Sequence, residues 1–207
     1  MSEPPDPSRE NLDACRRCEL WEHATQGVPG AGAADATLML VGEMPGDEED
    51  VEGRPFVGPS GRLLREIIAQ AGIRPEQMFL TNAVKHFYFE PRGKRRIHKT
   101  PLQRHVAACE VWLEGELARV RPAVIVTLGA TALSAVYGSR IAIAHARTRD
   151  VRNPQGTPIV ATYHPSAILR APDHEGRDRL RAALLADLER AARLAAKLAK
   201  KRRGVSG

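Results

Sequence analysis

Between residues 93 and 101 the chain reads Gly-Lys-Arg-Arg-Ile-His-Lys-Thr-Pro, which places Lys94, Arg95, Arg96, Lys99 and the imidazole of His98 in one short stretch. No apolar periodicity runs through it, so the pattern predicts a loop rather than an amphipathic helix or a half-buried strand. Such a loop is suited to lie against a polyanion, with one titratable, nucleophilic side chain at its centre. Taken alone, a basic run is a solvated charge run. Its meaning depends on what other groups the chain brings to it.

Four further motifs carry usable chemistry. Gly42-Glu43-Met44-Pro45-Gly46-Asp47 is a Gly/Pro-shaped turn holding two carboxylates, which can orient a water, position a nucleophile or oppose a cationic transition state. Its plainer reading is a strand-to-helix turn with capping acids. Asn82 offers both a donor and an acceptor, as reading the edge of an amide-like heterocycle requires, although Asn at a strand end also serves as a turn residue. His164-Pro165-Ser166 places an imidazole where it can donate to negative charge growing on a ligand oxygen. Phe56 stands in the rigid segment Gly53-Arg54-Pro55-Phe56-Val57-Gly58-Pro59-Ser60-Gly61 and is suited to stack on a planar ligand or to fill core.

The chain has three cysteines, Cys15, Cys18 and Cys109. Cys15-x-x-Cys18 precedes the first convincing strand, which disfavours a thioredoxin-like redox site and favours metal ligation. Three thiolates leave a closed site one ligand short. His23, His86 and His105 are all placed to complete it, and the set suits zinc as well as an iron–sulfur cluster.

Positioning these residues requires a regular frame. Four short apolar runs, Thr37–Val41, Met78–Asn82, Ala123–Leu128 and Pro158–Thr162, read as buried parallel strands. Helical patterns follow the first three, over Gly61–Ala71, Leu102–Val120 and Ala130–Tyr137, and alternation of this kind predicts an α/β domain. A long amphipathic helix over Asp173–Lys200 puts Leu180, Leu184, Leu188, Ala191, Leu194 and Leu198 near one face, before a frayed basic tail at 200–207. Each polar motif follows a strand: the acidic turn, then Asn82-Ala83-Val84-Lys85-His86, then Gly129-Ala130-Thr131, then Tyr163-His164-Pro165-Ser166. Ligands of open parallel sheets bind beyond the carboxyl ends of the strands. The motifs therefore converge on one rim, and the basic loop follows the second strand closely enough to reach it.

Composition sets the outer bounds. A 207-residue chain with 43% hydrophobic and 27% charged residues is expected to fold as one domain, its N-terminal arm 1–36 tied down by the metal site. No apolar run is long enough to span a membrane and the N-terminus is polar, so a cytoplasmic protein without a signal peptide is expected. The net charge of +6 favours an anionic partner.

Joint occurrence of GEMPGDEED, GRPFVGPSGRLL, TNAVKH, GKRRIHKTP and YHPSAILR, in this order, resembles the uracil-DNA glycosylase superfamily. The likeness covers roughly residues 12–190 and is closest to the iron–sulfur branch and, through the KRRIH run, to the UdgX type that cross-links to uracil-DNA. The resemblance implies a three-layer α/β/α sandwich around a central four-stranded, mainly parallel sheet. It also implies excision of uracil from single-stranded and possibly double-stranded DNA by a monomer holding a 4Fe-4S cluster. Carried over residue by residue, Met44, Gly46, Phe56, Asn82 and His164 would bind uracil, with His164 stabilising the departing anion. His98 would attack C1′ of the deoxyribose and leave a covalent adduct, supported by Glu43 and Asp47. Lys94, Arg95, Arg96, Lys99 and Ser166 would close the loop and meet the DNA backbone. The cluster ligands would be Cys15, Cys18, His86 and Cys109, His86 being chosen by the resemblance alone. The UdgX type has Gln where this chain has Met44, which lacks the same donor and acceptor.

Two other readings compete. A hydrolytic glycosylase would turn over many times with His98 as a bystander, and a non-catalytic iron–sulfur module would bind damaged DNA without releasing base. A nucleotide-binding α/β enzyme is disfavoured because neither GxGxxG nor a P-loop lysine motif occurs.

Overall fold

The structure is a computed structural model and describes residues 4–204, with side chains described as far as Lys201. In chain order the strands are β1 (Ala31–Gly32), β2 (Leu38–Gly42), β3 (Met78–Asn82), β4 (Phe89–Arg92), β5 (Arg95–His98), β6 (Val124–Leu128), β7 (Val151–Arg152) and β8 (Pro158–Thr162). The α-helices are α1 (Arg9–Asp13), α2 (Asp47–Glu52), α3 (Pro59–Gln70), α4 (Gln103–Val120), α5 (Ala130–Tyr137), α6 (Ile143–Arg147), α7 (Pro165–Leu169) and α8 (His174–Gly204).

The central sheet has the order β1-β3-β2-β6-β8-β7. Its four inner strands are parallel, and the two-residue strands β1 and β7 add antiparallel edges. The expected sheet of four strands is thus extended to six, because elements this short carry no periodicity to read. Residues of the inner strands alternate between two cores, as the pleat requires. Leu38, Leu40, Leu80, Val124, Val126 and Val160 pack with residues of α3, α7 and α8. Met39, Val41, Phe79, Ile125, Ile159 and Ala161 pack with residues of α4, α5 and α6. The result is an α/β/α sandwich. Leu184, Leu188 and Ala191 of α8 are fully buried on the first of these cores, while Leu180, Leu194 and Leu198 are half-buried beside it.

Two expectations change in detail. The helix over 173–200 continues to Gly204, whereas positions 205–207 of the expected frayed tail, like residues 1–3 of the arm, lie outside the described residues. The basic run is also not a loop. Residues 89–92 pair antiparallel with 95–98 to form a two-stranded hairpin, Phe89 facing His98 and Pro91 facing Arg96. Gly93, at φ 60°, takes the left-handed first corner of its two-residue turn. Periodicity missed this hairpin because its strands are polar on both faces. Its support comes instead from Phe87 stacked on Phe89 at 5.1 Å and from ion pairs made by its cations.

Candidate active site

The carboxyl ends of the parallel strands gather four groups. Glu43 follows β2, and its Oε2 accepts a hydrogen bond from the Thr131 hydroxyl at the start of α5. Asn82 ends β3, is 4% exposed, and makes no hydrogen bond through its carboxamide to the described residues. Phe56, held at φ 58°, reaches the same place from the loop before α3. A methyl group on Gly42 would lie 2.3 Å from Asn82 Oδ1 and 2.7 Å from Phe56 Cζ, so only glycine allows amide and ring to meet there.

His164 follows β8 and caps α7. Its Nδ1 lies 3.1 Å from the Ser166 amide nitrogen and 2.7 Å from the Ser166 hydroxyl. The amide is a donor, so Nδ1 is the acceptor and the ring proton of the neutral imidazole sits on Nε2. Burial first, then the charge of Arg170, lowers the His164 pKa to about 4. The site therefore holds a neutral imidazole with an N–H to give.

The hairpin brings His98 over this rim. His98 Nε2 stands 3.8 Å from Glu43 Oε1, with 48% of the His98 side chain and 23% of that of Glu43 exposed. Burial lowers the His98 pKa, Arg170 lowers it further, and Glu43 opposes both. Arg96, on the same face of β5 two residues earlier, latches the hairpin to α2. Its Nε donates to Asp47 Oδ1 at 2.5 Å and one terminal nitrogen to Asp50 Oδ2 at 2.5 Å. Asp50 is fully buried and also accepts from the amide and hydroxyl of Thr25. The guanidinium further lies 5.4 Å and 5.2 Å from the rings of Phe87 and Phe89.

Several residues assigned from sequence are engaged by partners within the protein. Met44 is buried in an apolar cluster with Val84 and Phe87. The Gly46 amide is taken by Glu49 Oε2 as a helix cap, which leaves it no donor for a ligand. Asp47 is paired with Arg96 and not aimed at His98. Lys99 is paired with Glu90 at 3.0 Å, and Ser166 is spent on His164. Lys94 and Arg95 are exposed at the hairpin turn. Sequence reading missed Thr131 as the partner of Glu43, Asp50 as the buried end of the latch, and Glu49. The last of these accepts from both the Gly46 and Gly58 amides and so joins the acidic turn to the Phe56 loop. The one available signal was the spacing of Asp47 and Asp50, neighbours on one helix face.

The three cysteines fall in the apolar cluster that holds Met44, with Leu12, Leu20, Val106 and Trp112. A hydrogen bond from the Cys109 thiol lowers the Cys18 pKa to about 6, while that same pairing and burial raise Cys109. Trp112 Nε1 is buried there without a partner, an N–H available to sulfur. Of the three candidate histidines, His105 is committed: Nδ1 accepts from the Leu102 amide at 3.1 Å and Nε2 lies 2.8 Å from Glu19. His23 is exposed. His86 is 3% exposed, faces the Leu12 carbonyl and is kept neutral by burial. Among the described residues no three such side chains converge around a single ion. A cluster asks for less convergence, since each ligand takes a different iron, and three thiols beside an orphan N–H are suited to it.

A helix-covered parallel sheet with its polar side chains gathered at the strand ends is the layout of an α/β/α enzyme domain. The chain belongs to the uracil DNA glycosylase superfamily, which it matches over residues 29–189. It is similar to a type-4 uracil-DNA glycosylase of Thermotoga maritima, 39% identical over 183 residues that cover 88% of this chain and 90% of that one. A type-4 uracil-DNA glycosylase of Sulfurisphaera tokodaii is 35% identical over 173 residues, 80% and 76% of the two chains. More distant is a type-5 uracil-DNA glycosylase of Pyrobaculum aerophilum, 28% identical over 179 residues, 77% and 74% of the two.

Proposed function

We propose that this protein excises uracil from DNA and is then captured by the abasic sugar through His98. The observation that carries the reading is the placement of His98 Nε2 3.8 Å from Glu43 Oε1 on a latched hairpin. Uracil in a stacked strand is unreachable, so the nucleotide is extruded into the rim. Phe56 stacks on the base and the Asn82 amide reads its edge. As the C1′–N1 bond breaks, its electron pair goes to uracil, and the His164 Nε2–H donates to the anion that forms. The Glu43 carboxylate opposes the positive charge growing on the sugar. The lone pair of neutral His98 Nε2 then forms a bond to C1′, and the resulting imidazolium loses its other ring proton to solvent. An alkylated imidazole is a poor leaving group, so the product is a dead-end adduct. Lys94 and Arg95 meet the phosphodiester backbone without reading sequence.

In this reading Cys15, Cys18, His86 and Cys109 hold a 4Fe-4S cluster. Bound there, it supplies a rigid cross-link between the N-terminal arm, the end of β3 and α4. Two of the relatives named above are type-4 and one is a type-5 uracil-DNA glycosylase, and a glycosylase that hydrolyses with turnover is the second reading. The KRRIH hairpin, which the resemblance ties to cross-linking, is what favours capture. Quantifying free uracil against enzyme on a uracil-containing oligonucleotide decides the matter. Release that stops at one equivalent supports capture. Product in large excess over enzyme supports hydrolysis, and no release at all leaves a binding module.

A further inference from the structure

We propose that Lys85 is a positioning residue for Asn82, holding the base-reading amide in place through a fully buried charge network anchored on α4. The proposal rests on the reading that Asn82 contacts uracil. The Lys85 and Glu116 side chains are both 0% exposed and pair at 2.7 Å. All three ammonium protons are used: one goes to Glu116 Oε2, one to the Thr81 hydroxyl at 2.7 Å, and one to the Asn82 carbonyl at 2.8 Å. The Thr81 hydroxyl donates in turn to Glu116 Oε2 at 2.6 Å, and Glu116 Oε1 accepts from the Gly30 amide at 2.8 Å. Its Lys85, Thr81 and Glu116 side chains are wholly buried, and it includes none of the reacting groups.

A buried ion pair is weak evidence of a purely stabilising role, because apolar side chains of similar volume often replace one without loss. The network's geometry points to Asn82. That carboxamide makes no hydrogen bond of its own to the described residues, so its direction is set by its backbone and by contact at Gly42. At the end of β3 the chain turns away from the sheet, with the Ala83 amide on Gly42 O and the Val84 amide on Glu43 O. The Asn82 carbonyl points below this turn, and Lys85 is what fixes it. The Lys85 amide also faces the Cys109 sulfur, so β3 and α4 are joined at this residue through backbone and side chain alike.

The test is a double-mutant cycle on single-turnover uracil release at saturating protein. Lys85→Met combined with Glu116→Gln removes both charges together, so neither is left buried alone. The release rate is expected to fall about tenfold, with the half-saturating DNA concentration within about twofold of wild type. In an Asn82→Ala background the same pair of changes is expected to alter the rate by less than about twofold. Melting temperature and iron content are recorded for each variant. An unchanged rate, or an equal fall in both backgrounds, overturns the assignment of Lys85. An Asn82→Ala protein that releases uracil at the wild-type rate overturns the Asn82 reading itself and this proposal with it. If the paired variant does not fold, Thr81→Val removes one link without a charge; a smaller fall that vanishes with Asn82→Ala supports the proposal, and an additive one defeats it.

Discussion

Two imidazoles face one site, and their surroundings give them different work. His164 has its Nδ1 turned to Ser166 and stays neutral down to about pH 4, so it presents Nε2–H across the working range. His98 stands closer to solvent, and its pKa is lowered by burial while the Glu43 carboxylate works against that shift. A neutral His98 is the nucleophilic form, so cross-linking is expected to hold at neutral pH and to fall on acidification through a midpoint below the ordinary imidazole value. His164 is still neutral there. Between the two midpoints uracil release should therefore outlast capture, which parallel pH profiles of free uracil and of SDS-stable adduct will show. Equal profiles for both would contradict separate roles. Residue types at this scale were legible: Glu43, Phe56, Asn82, His98 and His164 all stand out by the strand or loop that precedes them. Side-chain direction was not. Met44 lies within the acidic motif yet turns into the apolar cluster, because the motif turns sharply between its residues and sequence spacing does not report that turn.

In the proposed capture, the hairpin β4–β5 is the element on which the step depends. Its register places Arg96 and His98 on one face, so the latch residue and the proposed nucleophile move together. Asp47 and Asp50, three apart on α2, receive the guanidinium fork, and the buried Asp50 holds it against Thr25. Charge-assisted hydrogen bonds of this kind contribute about 1.5–3 kcal/mol, less where solvent reaches them as it does at Asp47. Arg96→Ala is expected to slow cross-linking at least about tenfold while uracil release falls less. Arg96→Lys should lie between, since an ammonium cannot fork between two carboxylates. Equal loss of release and cross-linking would mean that Arg96 supports the whole rim rather than the hairpin. The four inner strands and the major helices were legible from apolar runs and their periods. The hairpin was not, because nothing apolar repeats along it and its partners lie some fifty residues back, on α2.

Across the whole molecule, the rim is built from strand ends and the N-terminal arm must be fastened before it is complete. Thr25 and Gly30, both from that arm, satisfy Asp50 and Glu116, so arm, latch and buried network are one construction. A cluster on Cys15, Cys18, His86 and Cys109 would tie that arm to the end of β3 and to α4. His86→Ala is expected to lower iron per protein and the visible absorbance that comes with it, whereas His105→Ala should leave iron in place and lower stability by about 1 kcal/mol through loss of the α4 cap. A protein that holds stoichiometric zinc and no iron would contradict the cluster. The net charge of +6 and the exposed hairpin cations suit a polyanionic partner, and that much was legible from composition. The claim on which everything else turns is that His98 is the atom donor that ends the reaction. The most direct measurement is a heated SDS gel of protein mixed with a uracil-containing oligonucleotide, followed by peptide mapping of any shifted band. Wild-type protein is expected to give a shifted band whose DNA maps to His98, and His98→Ser to give none while still releasing uracil. The same band from His98→Ser, or an adduct mapped to another residue, would contradict the account.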